Sequence, residues 1–168
     1  QLPIERNTEI LKIISVGREQ WKEGYSIALD ECTLLKDQQI PFLYTIIAGG
    51  SIPEELIYKR QQLGLEELVK FQSSLPQKEV FSMMQESDVL VLPSLEEGIA
   101  NVVIEAMALG LPVISTDCGG MREVIRHNET GWVVPVMDSE AIANALEEVK
   151  KISIENRQEI VKNAFNLV

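Results

Sequence analysis

Short apolar runs alternate with longer amphipathic stretches along nearly the whole chain, and few folds accept that alternation. Runs such as Leu11–Val16 and Val89–Leu92 are too short for buried helices and almost continuous in Val, Ile and Leu. Strands of that kind are covered on both faces, which is the habit of parallel sheets. The pattern predicts strands at 11–16, 42–48, 69–71, 89–92, 113–115 and 132–134. Helices are expected at 23–37, from Pro53 to about Leu63, and at 77–86, 100–109, 121–125 and 155–166. A further helix runs from a capping Asp138 to about Lys151. Gly110 stands where a left-handed helix end belongs, with Pro112 as a stop. Strands alternating with helices imply right-handed crossovers. The expected fold is therefore α/β, a doubly wound Rossmann-like parallel sheet of about six strands with helices on both faces.

A chain of 168 residues with 45% apolar content suits one ordinary domain with a sizeable core. Residues 10–168 are read as that domain and the polar residues 1–9 as the remnant of an interdomain linker. Opening on Gln1-Leu2 rather than Met, the sequence suggests an excised fragment. The formal charge of -11 argues against nucleic acid as a main partner, because phosphate backbones need a positive footprint. It also disfavours broad contact with an anionic membrane. No apolar run reaches the length of a membrane span. Cys32 and Cys118 are far apart, form no metal-ligand or redox spacing, and read as small buried hydrophobes. They fit the cytosol. His127 is expected near the end of a short helix, in contact with helix carbonyls rather than in catalysis.

In a doubly wound sheet, ligands bind beyond the carboxyl ends of the strands where chain order reverses. That rule selects the loops starting near Gly17, Gly49, Gln72, Pro93 and Thr116. The richest of them runs from Pro93 to Ala108. Backbone N–H groups from Gly98 through Ile99 and Ala100 to Asn101 open a helix. They lack partners within it and lie at the positive end of its dipole, an arrangement suited to a phosphate. Gly98 admits close backbone approach. Glu105 lies about 7 to 8 Å further along at 1.5 Å per residue, where its two oxygens suit vicinal ribose hydroxyls. Glu97 lies in the loop, on the side where a sugar carried by the diphosphate would sit. The competing reading makes both glutamates solvated surface residues.

A second constellation follows the first strand. Arg18 supplies a planar fork and Lys22 a point charge, and together they can neutralise a diphosphate without a metal ion. Ordinary solvated cations are the alternative. Gly49-Gly50 and Gly119-Gly120 read equally well as turns. Asn128-Glu129-Thr130 matches a glycosylation acceptor by chance. There is no nucleophile motif, metal-ligand pair or Walker loop.

These residues resemble a known family. Glu97-Gly98, followed by Val103-Ile104-Glu105-Ala106-Met107-Ala108-Leu109-Gly110-Leu111-Pro112-Val113, is similar to the two-glutamate signature of family 4, or group 1, retaining glycosyltransferases. Ser15-Val16-Gly17-Arg18 with Trp21-Lys22-Glu23-Gly24 resembles the same family's Arg-Lys diphosphate segment. Leu90-Val91-Leu92-Pro93-Ser94, Thr116-Asp117-Cys118-Gly119-Gly120, Glu123 and Gly131 follow in the family's order. The resemblance implies the C-terminal, donor-binding domain of a GT-B glycosyltransferase, with an N-terminal acceptor domain as its partner and only possible membrane contact. The implied donor is a UDP-, GDP- or ADP-sugar, and no metal or other cofactor is required. Arg18 and Lys22 would bind the diphosphate and stabilise the departing nucleotide. Glu97 would contact the donor sugar and Glu105 the ribose. The amides of Ile99, Ala100 and Asn101 would meet phosphate or sugar, and the loop at Leu75 would lie against the base. Transfer would proceed with retention of anomeric configuration, and the isolated domain would be inactive. A sugar-nucleotide epimerase of similar fold and a non-catalytic nucleotide-binding module are the alternatives. Three departures bear on the donor: the usual Glu-Gly-Phe-Gly is Glu97-Gly98-Ile99-Ala100, a Gly-Asp-Gly-like turn is replaced by Ala48-Gly49-Gly50, and Gln72-Ser73 follows Phe71 where the family often has Leu-Gly.

Overall fold

A computed structural model describes residues 10–17, 24–93 and 101–168. Six parallel strands form one sheet: β1 (Leu11–Val16), β2 (Phe42–Ile47), β3 (Val69–Gln72), β4 (Val89–Leu92), β5 (Val113–Thr116) and β6 (Trp132–Val134). Seven helices lie among the described residues: α1 (Gly24–Asp37), α2 (Glu54–Gln62), α3 (Gln77–Gln85), α4 (Asn101–Ala108), α5 (Met121–Val124), α6 (Ser139–Lys151) and α7 (Ile154–Leu167). The sheet order is β3-β2-β1-β4-β5-β6. Chain direction across the sheet therefore reverses between β1 and β4, as a doubly wound domain requires.

Alternation of side chains along each strand divides the core in two. Leu11 and Ile13 of β1 join Tyr44 and Ile46 of β2 and Val89 and Val91 of β4, under α1, α2 and α6. Ile14 and Val16 face the other way, with Leu90 and Leu92 of β4, under α3, α4 and α5. Both faces of the central strands are thus covered, and β4 and β5 are buried at every residue. That is why their sequences are nearly continuous in apolar residues. On the edge strand β3, Lys70 is exposed, a polar side chain on a strand with an open side. The helix α7 packs against α4, and its Arg157 donates to the Asp88 carbonyl at 3.3 Å.

Helix ends follow local chemistry. The α6 N-terminus is capped by Asp138 Oδ1, which accepts from the Ala141 amide at 2.9 Å. At the end of α4 the Leu111 amide donates to the Ala106 carbonyl at 2.9 Å and the Gly110 amide to that of Met107 at 3.2 Å. Gly110 has φ +75°, the left-handed conformation that this Schellman ending demands. The same ending closes α1, where Gln39 takes φ +58° with no glycine to announce it. Pro53 is the N-cap of α2, one residue before the first turn in which sequence places it.

The Gly17 amide donates to the Ile47 carbonyl at 2.7 Å and the Asp117 amide to that of Val134 at 2.7 Å. These bonds carry the ladder one residue past the ends of β1 and β5 and hold the mouths of the following loops in register. β3 extends to Gln72 and β5 to Thr116, so those two expected loop starts belong to strands.

Candidate functional site

The carboxyl ends of six strands present a row of loop mouths: Gly17, Ala48, Ser73, Pro93, Asp117 and Pro135 follow β1 to β6 in turn. The reversal point lies between the first and fourth of these, where β1 pairs directly with β4. Of the residues that sequence places at this site, Arg18, Lys22, Glu97, Gly98, Ile99 and Ala100 lie outside the described residues. Leu75, Asn101 and Glu105 are described.

Asn101 begins α4 and is exposed, while Glu105, one turn on, is half-buried. The helix is oriented by Val102, Val103, Ala106 and Met107, which are buried against the sheet. At 100° per residue that arc leaves Asn101 and Glu105 adjacent on one face away from the core. Four residues at 1.5 Å put them about 6 Å apart along the axis. The first residue of the helix and a carboxylate one turn along are therefore near neighbours on one side of α4. Leu75, between β3 and α3, is half-buried and packs on the cluster containing Val80 and Met84. Its backbone position is thereby fixed beside the carboxyl end of β3.

An ion pair that local sequence does not announce lies at the same edge of the sheet. Arg122 Nε is 2.9 Å from Asp117 Oδ2, across the turn through Gly119, whose φ is +55°. The five-residue spacing matches no helical pairing rule; the turn creates it. Thr116 Oγ1 lies 3.5 Å from the buried Cys118 Sγ, and Cys32 is wholly buried in the core beneath α1. Both cysteines are therefore packed as expected. Gly50 has φ +77° and open space beyond its Cα, which makes it a turn residue.

His127 differs from expectation. α5 ends at Val124, so His127 lies beyond the helix, and its Nδ1 accepts from the Val133 amide at 3.0 Å. The imidazole supports the start of β6 instead of capping helix carbonyls, because Thr130 Oγ1 already donates to the Val124 carbonyl at 3.3 Å.

A cleft of about 900 Å³ opens elsewhere, between α6, α7 and the loop before β6, lined among others by Asn128, Asn144, Glu148, Asn156 and Glu159. It lies at the amino end of β6, away from the loop mouths at the carboxyl ends. No group of three or more His, Cys, Asp or Glu among the described residues is placed to hold a metal ion. None of their helices is long and apolar enough to cross a membrane.

Comparison with known proteins agrees with this fold. Residues 3–167 match the model of the family described as glycosyl transferases group 1. The chain is 39% identical over 142 residues to the amylovoran biosynthesis glycosyltransferase AmsK of Erwinia amylovora, covering 81% of this chain and 35% of that protein. It spans about two fifths or less of the length of the curated relatives it matches. Among solved structures it is similar to the C-terminal domain of the group 1 glycosyl transferase LpcC of Francisella tularensis. That match has a TM-score of 0.79 and 26% identity, and covers 94% of this chain and 84% of the other. The fold also matches Anabaena HepE, solved with UDP and glucose, with a TM-score of 0.82 and 22% identity over 95% of this chain and 43% of that one. The matched residues take in both sides of the reversal point and run through α7, and on that ground the chain belongs to the group 1 glycosyltransferases.

Proposed function

We propose that this chain is the donor-binding domain of a retaining glycosyltransferase and holds a nucleoside-diphosphate sugar in the crevice between the β1 and β4 loops. In this reading Arg18 and Lys22 neutralise the diphosphate, and the amides of Ile99, Ala100 and Asn101 complete the cradle with Gly98 giving close access. Glu105 takes the ribose hydroxyls, Glu97 faces the sugar, and Leu75 lies against the base. The chemistry asked of the domain is electrostatic. Cleaving the sugar–phosphate bond leaves a diphosphate of increased charge, and two cations with fixed amides stabilise that charge as it develops. Because side chains supply the positive charge, no metal ion is needed. An N-terminal acceptor domain completes the enzyme, and this domain alone does not turn over.

The observation that carries the reading is the shared face of Asn101 and Glu105 on the helix that follows β4 at the reversal point. The relation to HepE, a protein solved with UDP and glucose, supports a nucleotide-sugar ligand. Titration calorimetry with UDP, GDP and ADP tests it. At least one should bind, chelator should leave binding unchanged, and Arg18→Ala or Lys22→Ala should weaken it. A charge-assisted hydrogen bond contributes about 1.5–3 kcal/mol, so each loss corresponds to about tenfold to a hundredfold in Kd. Binding indifferent to both substitutions refutes the phosphate assignment.

A further inference from the structure

Glu31 is wholly buried on α1, and neither of its carboxyl oxygens has a hydrogen-bond partner. At helical spacing it lies between Ala28 and Leu35, on the arc that packs against the sheet. The titratable groups beside it are Cys32 on its own helix and Tyr44 on β2, with Tyr25 of α1 near Tyr44. The Tyr44 hydroxyl is already committed to Ser15 Oγ at 2.5 Å. From α6 the core receives Ile142, Ala145, Leu146 and Val149, all apolar. The cations of α2 are engaged elsewhere. Lys59 pairs with Asp30 at 3.0 Å and donates to the Ser26 carbonyl. Arg60 stacks 4.4 Å over Phe71 and donates to the Val69 carbonyl at 3.2 Å. No described group thus neutralises a charge at Glu31, and an unpaired ion is far costlier to bury than a neutral acid.

We infer that Glu31 is carried as a neutral carboxylic acid, and that this proton is a pH-sensitive latch holding α1 on the sheet. Burial pushes the carboxyl well above the usual carboxylate range. The sign follows from linkage. Above the unfolded value of about 4.3 the unfolded chain has lost this proton while the folded chain keeps it. The contribution is therefore complete below that value and is lost progressively as pH rises towards the folded value, beyond which α1 opens to let the carboxylate reach water. β1 and α1 bracket residues 18–23, so the latch governs the pH range over which both anchors of that segment are held. It stands independently of the donor reading.

The test is urea unfolding of the 168-residue chain and its Glu31→Gln variant from about pH 3 to 9. The folding constant of the wild type relative to the variant should be level at the acid end. It should then fall by up to tenfold per pH unit, the slope of one proton. A ratio independent of pH, or one that rises, overturns the proposal. Infrared spectroscopy of the wild type alone, from about pH 3 to 9, covers the case of a variant that does not fold. A protonated-carboxyl band that persists after the exposed carboxyls have ionised supports the latch, and loss of the whole band together with them refutes it.

Discussion

The hydroxyl chain beneath the sheet offers a quantitative test of how this core is held. Ser15 Oγ donates to the Val91 carbonyl at 2.5 Å and lies 2.5 Å from the Tyr44 hydroxyl, so Tyr44 is the donor to Ser15. All three groups are buried, and the chain links β2, β1 and β4 across the point where the sheet reverses. Tyr44→Phe removes one hydrogen bond and leaves Ser15 still paired to Val91, a loss of about 1 kcal/mol. Ser15→Ala removes both bonds and strands the Tyr44 hydroxyl in a site with no access to water. That orphaned donor adds a desolvation cost of about 1–3 kcal/mol to the two lost bonds, for a total of about 3–5. In the double variant the orphan disappears with the tyrosine hydroxyl and the shared bond is lost only once, so its loss should fall below the sum of the singles by about 2–4 kcal/mol. Urea unfolding of the four proteins measures this. For a chain of this size each 1 kcal/mol should also lower Tm by about 2–4 °C. Strict additivity would refute the reasoning, since it would mean that the two hydroxyls do not depend on each other.

Two further outcomes can be checked directly. A Cβ at Gly131 would stand 2.8 Å from the Val113 carbonyl oxygen and 3.1 Å from Ile125 Cγ2. Backbone cannot easily move aside, so Gly131→Ala should destabilise by about 1–3 kcal/mol by thermal or urea unfolding, and an unchanged midpoint would contradict the packing. If Glu105 holds the ribose, Glu105→Ala should weaken nucleotide binding by about tenfold or more. It should leave the affinity for a 2′,3′-dideoxy analogue unaltered in the same calorimeter, and equal losses for both ligands would point to helix damage instead.

Much of the architecture was legible along the chain because burial on both faces leaves a direct imprint. The expected strands at 11–16, 89–92 and 132–134 match β1, β4 and β6 to the residue. Helices capped by their own residues were equally legible, as Asp138 and Gly110 show. The end of α1 was not, because Gln39 adopts a glycine-like φ of +58° that no residue type announces. His127 was misjudged for a related reason: its partner, the Val133 amide, becomes available only once the loop before β6 has folded back. At the site, the helix-start position of Asn101 and Glu105 could be read from spacing alone, whereas the Asp117–Arg122 pair depends on a left-handed glycine turn.

Sequence by itself determined the alternation of strands and helices, the loops that cluster at the strands' carboxyl ends and the family to which the chain is related. Each is written in short-range spacing and residue type. Only the tertiary structure decided that Glu31 is sealed in the core without a partner, that Ser15 and Tyr44 join three strands, and that Arg122 reaches Asp117. Those properties depend on which surfaces meet, and contacts between distant residues are created by packing rather than by any one segment.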